Sequence, residues 1–166
     1  LKNFVKEAAR SGADGIIVPD LPLEESSELK AAADAEGFSL IMLTSPTTSA
    51  ERFRKIASST RGFLYHVSLT GVTGVRSSVP AGLKEDLIKF SRLSQKPLCV
   101  GFGVSGPERA REIAELADGV IVGSAIVGII EKNLGNKKEI PEKVRLFAEK
   151  IASAVHSVQV HEDNRS

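Results

Sequence analysis

Cysteine occurs once in this 166-residue chain, at Cys99, and histidine only at positions 66, 156 and 161. A lone cysteine excludes an internal disulfide framework, and histidines so scattered offer no zinc-ligand spacing, so no metal is expected. Charge of one sign is lacking too: 22 lysines and arginines against 21 aspartates and glutamates leave a net charge of +1. That balance provides no broad basic surface for a phosphodiester backbone, so nucleic acid is not an expected partner. The longest apolar run, Gly119 to Ile130, falls short of the roughly 20 residues that span a bilayer, and no charged-then-apolar signal opens the chain. No membrane partner is expected. There is no linker, low-complexity tract or second domain. The first residue is Leu1 rather than methionine, which leads us to expect a processed product or a piece of something longer.

What is present is a globular composition, 42% hydrophobic and 26% charged, sized for one domain. Five β-rich runs recur: Gly15–Val18, Ser39–Leu43, Phe63–Val67, Pro97–Val100 and Gly119–Val122. They are near-continuous apolar stretches, the pattern of parallel strands buried on both faces. Between them, apolar residues fall at helical intervals: Leu29, Ala32 and Ala33; Phe53, Ile56 and Ala57; Leu83, Leu87 and Ile88; Ala110, Ile113 and Ala114. Thr48 with Glu51 and Ser105 with Glu108 have the spacing of capping boxes, while Gly12 and Gly37 stand where helices should stop. A last helix is expected near Pro141, with Val144, Phe147, Ala148, Ile151 and Val155 on one face. The pattern predicts a partial βα domain over 1–158 and a polar tail over 159–166. Such units build either a doubly wound open sheet or a section of a (β/α)8 barrel, and local pattern leaves both open.

In either architecture, chemistry sits just beyond the strand ends. Gly101 and Gly103 suit close approach of backbone to a ligand. Gly123-Ser124 opens a helix with no acidic residue in its first turn, whereas Glu24 and Glu25, Glu51, and Glu108 sit in or beside other first turns. A bare helix start with free N–H groups suits a phosphate. The alternative is that these glycines serve tight turns and Ser124 is an ordinary N-cap. The polar stretch from Ser68 to Pro80, with Gly71 and Gly74, has the length of a lid. Tyr65 could aim its phenol at a ligand or pack as core. Asp20, after Pro19 at a strand end, could act on substrate or orient its turn. His66, adjacent to Tyr65, should point toward the helices and serve structure. Lys137-Lys138-Glu139 reads as a solvated loop.

Four segments together resemble the tryptophan synthase α chain, the indole-3-glycerol-phosphate lyase family, in its plant-like branch: Val18-Pro19-Asp20-Leu21-Pro22-Leu23-Glu24-Glu25, Gly71-Val72-Thr73-Gly74, Gly101-Phe102-Gly103-Val104-Ser105, and Gly119 through Val127. The resemblance runs from Leu1 to about Val155 and implies a (β/α)8 TIM barrel, of which this chain is similar to strands four through eight. It implies retro-aldol cleavage of indole-3-glycerol phosphate to indole and glyceraldehyde 3-phosphate, without a cofactor, the pyridoxal phosphate belonging to a β partner chain in an α2β2 assembly. The implied compartment is the cytoplasm, or the plastid stroma in a plant.

Carried over by the resemblance, Gly74, Gly103, Gly123 and Ser124 would hold the phosphate, and Phe102 would line the cleft beside it. Tyr65 would line the pocket and contact a catalytic aspartate that Thr73 also meets when the lid closes. Asp20 matches a strand-end aspartate at the active-site mouth. Leu69 departs from the arginine usual in bacterial members. The family's catalytic glutamate, at the end of the second strand, and its aspartate, in the next loop, lie on segments that this sequence does not contain. A truncated, non-catalytic paralogue and another phosphate-binding barrel are the rival expectations.

Overall fold

The computed structural model describes residues 1–67, 81–101 and 103–158. Helix α1 (Lys2–Arg10) leads into strand β1 (Gly15–Ile17), a 3-10 turn (Leu23–Glu25) and α2 (Ser27–Ala35). Then follow β2 (Ser39–Thr44), α3 (Ala50–Ser59), β3 (Leu64–Val67), α4 (Ala81–Leu93), β4 (Leu98–Gly101) and α5 (Pro107–Ala114). The chain continues through β5 (Gly119–Val120), α6 (Ser124–Lys132), a second 3-10 turn (Leu134–Glu139) and α7 (Ile140–His156). Every strand pair is parallel and the spatial order is β1-β2-β3-β4-β5. A doubly wound sheet reverses its order at a switch point; this sheet does not, so its strands run as consecutive staves of a barrel wall.

The two faces of that wall differ. Leu40, Met42 and Thr44 on β2, Leu64 and His66 on β3, and Leu98 and Val100 on β4 are buried against Leu29, Phe53, Leu87, Phe90 and Ile113 of the helices. Alternate residues point the other way, as strand geometry requires, and there Leu43, Tyr65, Val67, Cys99 and Gly101 are only half-buried. The expectation of burial on both faces therefore fails for most of the inner side, although Ile41 is buried there. Inner residues of a closed barrel pack against opposing strands, and only five staves are described here. Ile17, on the β1 edge, is 39% exposed for the same reason.

Local chemistry explains the boundaries. Gly12 (φ 91°) and Gly37 (φ 66°) take the left-handed conformation just past α1 and α2. At each, two amides turn back onto the last carbonyls: Gly12 N to Ala9 O with Ala13 N to Ala8 O, and Gly37 N to Asp34 O with Phe38 N to Ala33 O. That is the Schellman arrangement, and it relieves carbonyls that would otherwise be orphaned. Two expected capping boxes are replaced. The N-cap of α3 is Ser49, whose Oγ accepts from the Arg52 amide, while Thr48 Oγ1 accepts from the Ser45 amide in the preceding turn. The N-cap of α5 is Gly106, with no side-chain cap, because Pro107 at the first helical position sets where the helix begins.

On α4, Leu83, Leu87 and Phe90 are buried and Ile88 is exposed, so Phe90 takes the core position expected of Ile88. Its ring stacks on Phe53 of α3 with centroids 4.3 Å apart and planes 4° from parallel, locking these helices together over β3. On α7, Ile151 is buried with Phe147 and Val155 beside it, whereas Ala148 faces solvent. The expected loop at Lys137-Lys138-Glu139 is the second 3-10 turn, exposed as anticipated. The tail over 159–166 lies outside the described residues.

Candidate active-site face

The carboxyl ends of the five strands open toward one end of the wall, and the residues expected to carry chemistry lie there. Asp20 sits exposed in the turn after β1. This turn is anchored from both sides. Ser26 Oγ donates to Leu23 O at 2.7 Å, and Arg52 of α3 grips Glu24 with two guanidinium bonds of 2.6 and 2.9 Å. The fork-to-carboxylate bond from Arg52 holds the Glu24 carboxyl down to about 2. Sequence reasoning saw Glu24 only as a helix-dipole acid. Its partner is 28 residues away, with no local signal to announce it.

After β2, Ser45 and Thr48 close a turn, with the Ser45 amide donating to Thr48 Oγ1 at 2.9 Å. On β3 the two neighbours diverge as strand alternation demands. His66 is fully buried toward the helices, its Nδ1 3.1 Å from Thr44 Oγ1, its ring 5.5 Å from that of Phe90, and its Nε2 without a partner among the described residues. Burial lowers its pKa, with the charge of Asp86 opposing the shift. The structural role expected of His66 matches this placement. Tyr65 points to the inner face and lies across Gly101 of β4: a Cβ at Gly101 would come within 2.4 Å of the phenol oxygen. The space expected to admit a ligand at Gly101 is thus filled by the Tyr65 ring. One step lower, Cys99 occupies the space that Gly119 leaves on β5, where a Cβ would lie 2.7 Å from its Sγ. Burial and then Asp118 push the Cys99 thiol up, away from nucleophilic reactivity.

The last two strands deliver the glycine loops. Because β4 and β5 pair directly, through Cys99 with Gly119 and Val100 with Val120, Gly103 and Gly123 leave adjacent strands at the same end. Gly103 is exposed with φ 41°, and among the described residues nothing lies within 4 Å of where a Cβ would stand, as at Gly123. Gly123 is the N-cap of α6 and makes no side-chain cap bond; Ser124 is the first helical residue, exposed, rather than the cap. The first turn of α6 carries no acidic residue, so nothing on the helix itself offsets the positive end of its dipole. This feature is not confined to α6, since α1 and α4 also lack first-turn acids. What distinguishes α6 is its position beside the open Gly103 loop at the carboxyl end of the sheet.

Thr73, Gly74, Leu69 and the rest of the expected lid, together with Phe102, lie outside the described residues. Among the described residues no group of three or more histidine, cysteine, aspartate or glutamate side chains could hold a metal ion, and no helix is long and apolar enough to cross a membrane.

Consecutive parallel βα staves with open glycine loops beyond the last two strands define a protein of the (β/α)8-barrel class, seen here as an incomplete barrel. The family model described as tryptophan synthase alpha chain matches residues 1–156. The tryptophan synthase alpha chain of Carboxydothermus hydrogenoformans is 45% identical over 148 residues, 89% of this chain and 55% of the relative. That of Methanocaldococcus jannaschii is 46% identical over 142 residues, 86% of this chain and 50% of the relative. The crystal structure of the Legionella pneumophila alpha chain superposes with a TM-score of 0.83 at 34% identity, covering 96% of this chain and 58% of that one. A chain from the tryptophan synthase α2β2 complex of Pyrococcus furiosus gives 0.81 at 37%, covering 92% and 60%. The chain belongs to the tryptophan synthase alpha chain family. It spans a little over half the length of the curated relatives it matches.

Proposed function

We propose that this chain is the C-terminal, phosphate-gripping part of an α-type lyase that cleaves indole-3-glycerol phosphate to indole and glyceraldehyde 3-phosphate in tryptophan biosynthesis. The observation that carries the reading is the bare start of α6 beside the open Gly103 loop, with Gly123 and Ser124 exposed and no first-turn acid. Backbone amides of Gly103, Gly123 and Ser124 bind the phosphate, assisted by the dipole, with Gly74 and Phe102 completing the cradle. Tyr65 lines the pocket and contacts the family's catalytic aspartate, which Thr73 also meets when the lid closes, and Asp20 stands at the mouth of the site.

The reaction needs an acid at the indole C3 and a base at the glycerol hydroxyl as the carbon–carbon bond breaks. In this reading those two carboxylates come from the family's second strand and the loop beyond it, segments this sequence does not contain. Loss of such groups costs about 10²- to 10⁴-fold each in rate. Turnover therefore requires a polypeptide that supplies them, and the half-reaction itself uses no cofactor. The natural partner in this reading is a tryptophan synthase β chain carrying pyridoxal phosphate, in line with the α2β2 complex from which the Pyrococcus structure comes. The reading extends to a plant-like member in the plastid stroma, or otherwise to a cytoplasmic one.

The test is amide NMR of the 166-residue chain titrated with glycerol 3-phosphate. Saturable shifts centred on Gly103, Gly123 and Ser124 are expected; silence there would reject the site. A second reading is a non-catalytic paralogue that keeps phosphate binding. Indole formation by this chain alone would remove it, and indole formation only after addition of the family's first three βα units would support the lyase.

A further inference from the structure

The outer wall carries a second surface, independent of the barrel interior and of the reading above. Between α3 and α4 lies an open groove of about 510 Å³ lined by Ala50, Arg54, Glu85, Ile88, Lys89, Arg92 and Leu93. The Phe53–Phe90 stack fixes the two helices from beneath, so the groove has a rigid floor. Its apolar part is Ala50, Leu93 and Ile88, the last being 38% exposed while Leu83 and Leu87 of the same helix are buried. Three cations rim it against one carboxylate, an excess of two positive charges.

The charges here are arranged unlike those of neighbouring helices. Lys30 pairs with Asp34 on α2, Lys55 with Glu51 on α3, Arg111 with Glu115 across the end of α5, and Arg145 with Glu142 and Glu149 on α7. Arg54 and Arg92 make no ion pair among the described residues, and Lys89 sits 5.5 Å from the Phe90 ring centroid rather than on Glu85, one turn away. Completion of the sheet would not cover this groove, because α3 and α4 flank β3, the middle strand of five, while the unpaired edges are β1 and β5.

We propose that the α3–α4 groove docks an acidic amphipathic helix of a partner protein. Glu85 to Leu93 spans about 12 Å, two helical turns, enough to seat two or three apolar side chains at i, i+3 or i+4 spacing. Carboxylates flanking that stripe meet Arg54, Lys89 and Arg92, which supply the charge complementarity that steers and orients an encounter. So short a contact makes a transient complex.

The probe is a fluorescein-labelled synthetic helix of about 16 residues, with leucine at every third or fourth position and glutamate on both sides of that stripe, titrated with the 166-residue chain. Anisotropy should saturate. Binding should weaken at least about tenfold in Arg54→Glu/Arg92→Glu and in Ile88→Ser, and stay unchanged in Leu146→Ser, an exposed apolar site on α7. Circular dichroism verifies that each variant is folded. The charge-reversed variant should instead prefer a lysine version of the peptide. Failure to saturate, equal binding of a peptide with serine in place of leucine, or indifference to both groove variants would overturn the proposal. So would a wild-type dimer in sedimentation that Ile88→Ser dissolves, since a second copy would then be the occupant.

Discussion

The Tyr65 ring occupies the space that Gly101 leaves empty on the next strand: a Cβ there would lie 2.4 Å from the phenol oxygen and from Cε2. The two residues sit on paired strands, with Tyr65 opposite Cys99 and Gly101 one inward position further along β4. Gly101 is therefore glycine because of a neighbour, and Tyr65 keeps its orientation because of a glycine. Gly101→Ala must displace the ring or the strand, at a cost of about 1–3 kcal/mol. Tyr65→Ala should relieve that clash, so the double variant should be more stable than the two single losses summed. Urea unfolding of the four proteins measures the coupling, and strict additivity would refute the contact.

Arg52 and Glu24 form the clamp that anchors the loop bearing Asp20. NMR titration of the Glu24 carboxyl should give a midpoint of about 2, and Arg52→Gln should return it toward the ordinary glutamate value. Because the folded-state value is depressed, the clamp's contribution is fully present above the unfolded value of about 4.3 and is lost as pH falls from there toward 2. Both side chains are exposed, so 1 M salt should weaken the shift. An unshifted Glu24 in the wild type would show the clamp absent in solution.

His66 predicts a pH dependence of a different kind. Burial lowers its folded-state pKa, so below about pH 6.5 the unfolded chain binds a proton that the folded chain resists. Stability should thus be indifferent to His66 well above that value and fall as pH drops through it, by at most about 1.4 kcal/mol per pH unit. Among the described residues, the groups facing the ring are Thr44 on β2, Phe90 on α4 and the Asp86 charge on α4, which opposes the shift. His66→Leu should flatten the profile between pH 5 and 7.5 in denaturant unfolding. An unchanged slope in His66→Leu would exclude the buried histidine as its source.

Much of this was readable from spacing alone. Every strand begins within one residue of expectation, and Gly12 and Gly37 mark the helix ends because only a left-handed residue closes a Schellman turn cheaply. Capping was harder to assign. Thr47, Thr48 and Ser49 are three consecutive hydroxyls, any of which could start α3, and the choice depends on Thr48 being drawn into the Ser45 turn. Ile88 and Phe90 both satisfy a helical interval, and the aromatic took the core because Phe53 waited on α3. Pairings that cross between strands or between loops, such as Tyr65 over Gly101 and Arg52 on Glu24, leave no periodic trace in a sequence. For that reason Gly101 read as ligand space when its purpose is packing.

The start of α6 offers the most direct probe of the proposed chemistry. A phosphate held there gains from the unsatisfied amides of the first turn and from the positive end of the dipole. Ser124→Asp would place a carboxylate at the same spot, which stabilises the helix by about 0.3–1 kcal/mol while competing with the anion. Ser124→Ala removes only the hydroxyl and leaves the amides and dipole in place. Glycerol 3-phosphate affinity should therefore drop steeply in Ser124→Asp and modestly in Ser124→Ala, with thermal stability moving the opposite way in the aspartate variant. Calorimetric titration at low and high salt separates this from general charge repulsion, because a loss caused by remote fields would vanish under screening whereas occupation of the site would not. Affinity unchanged by the aspartate would place the phosphate elsewhere on the sheet end.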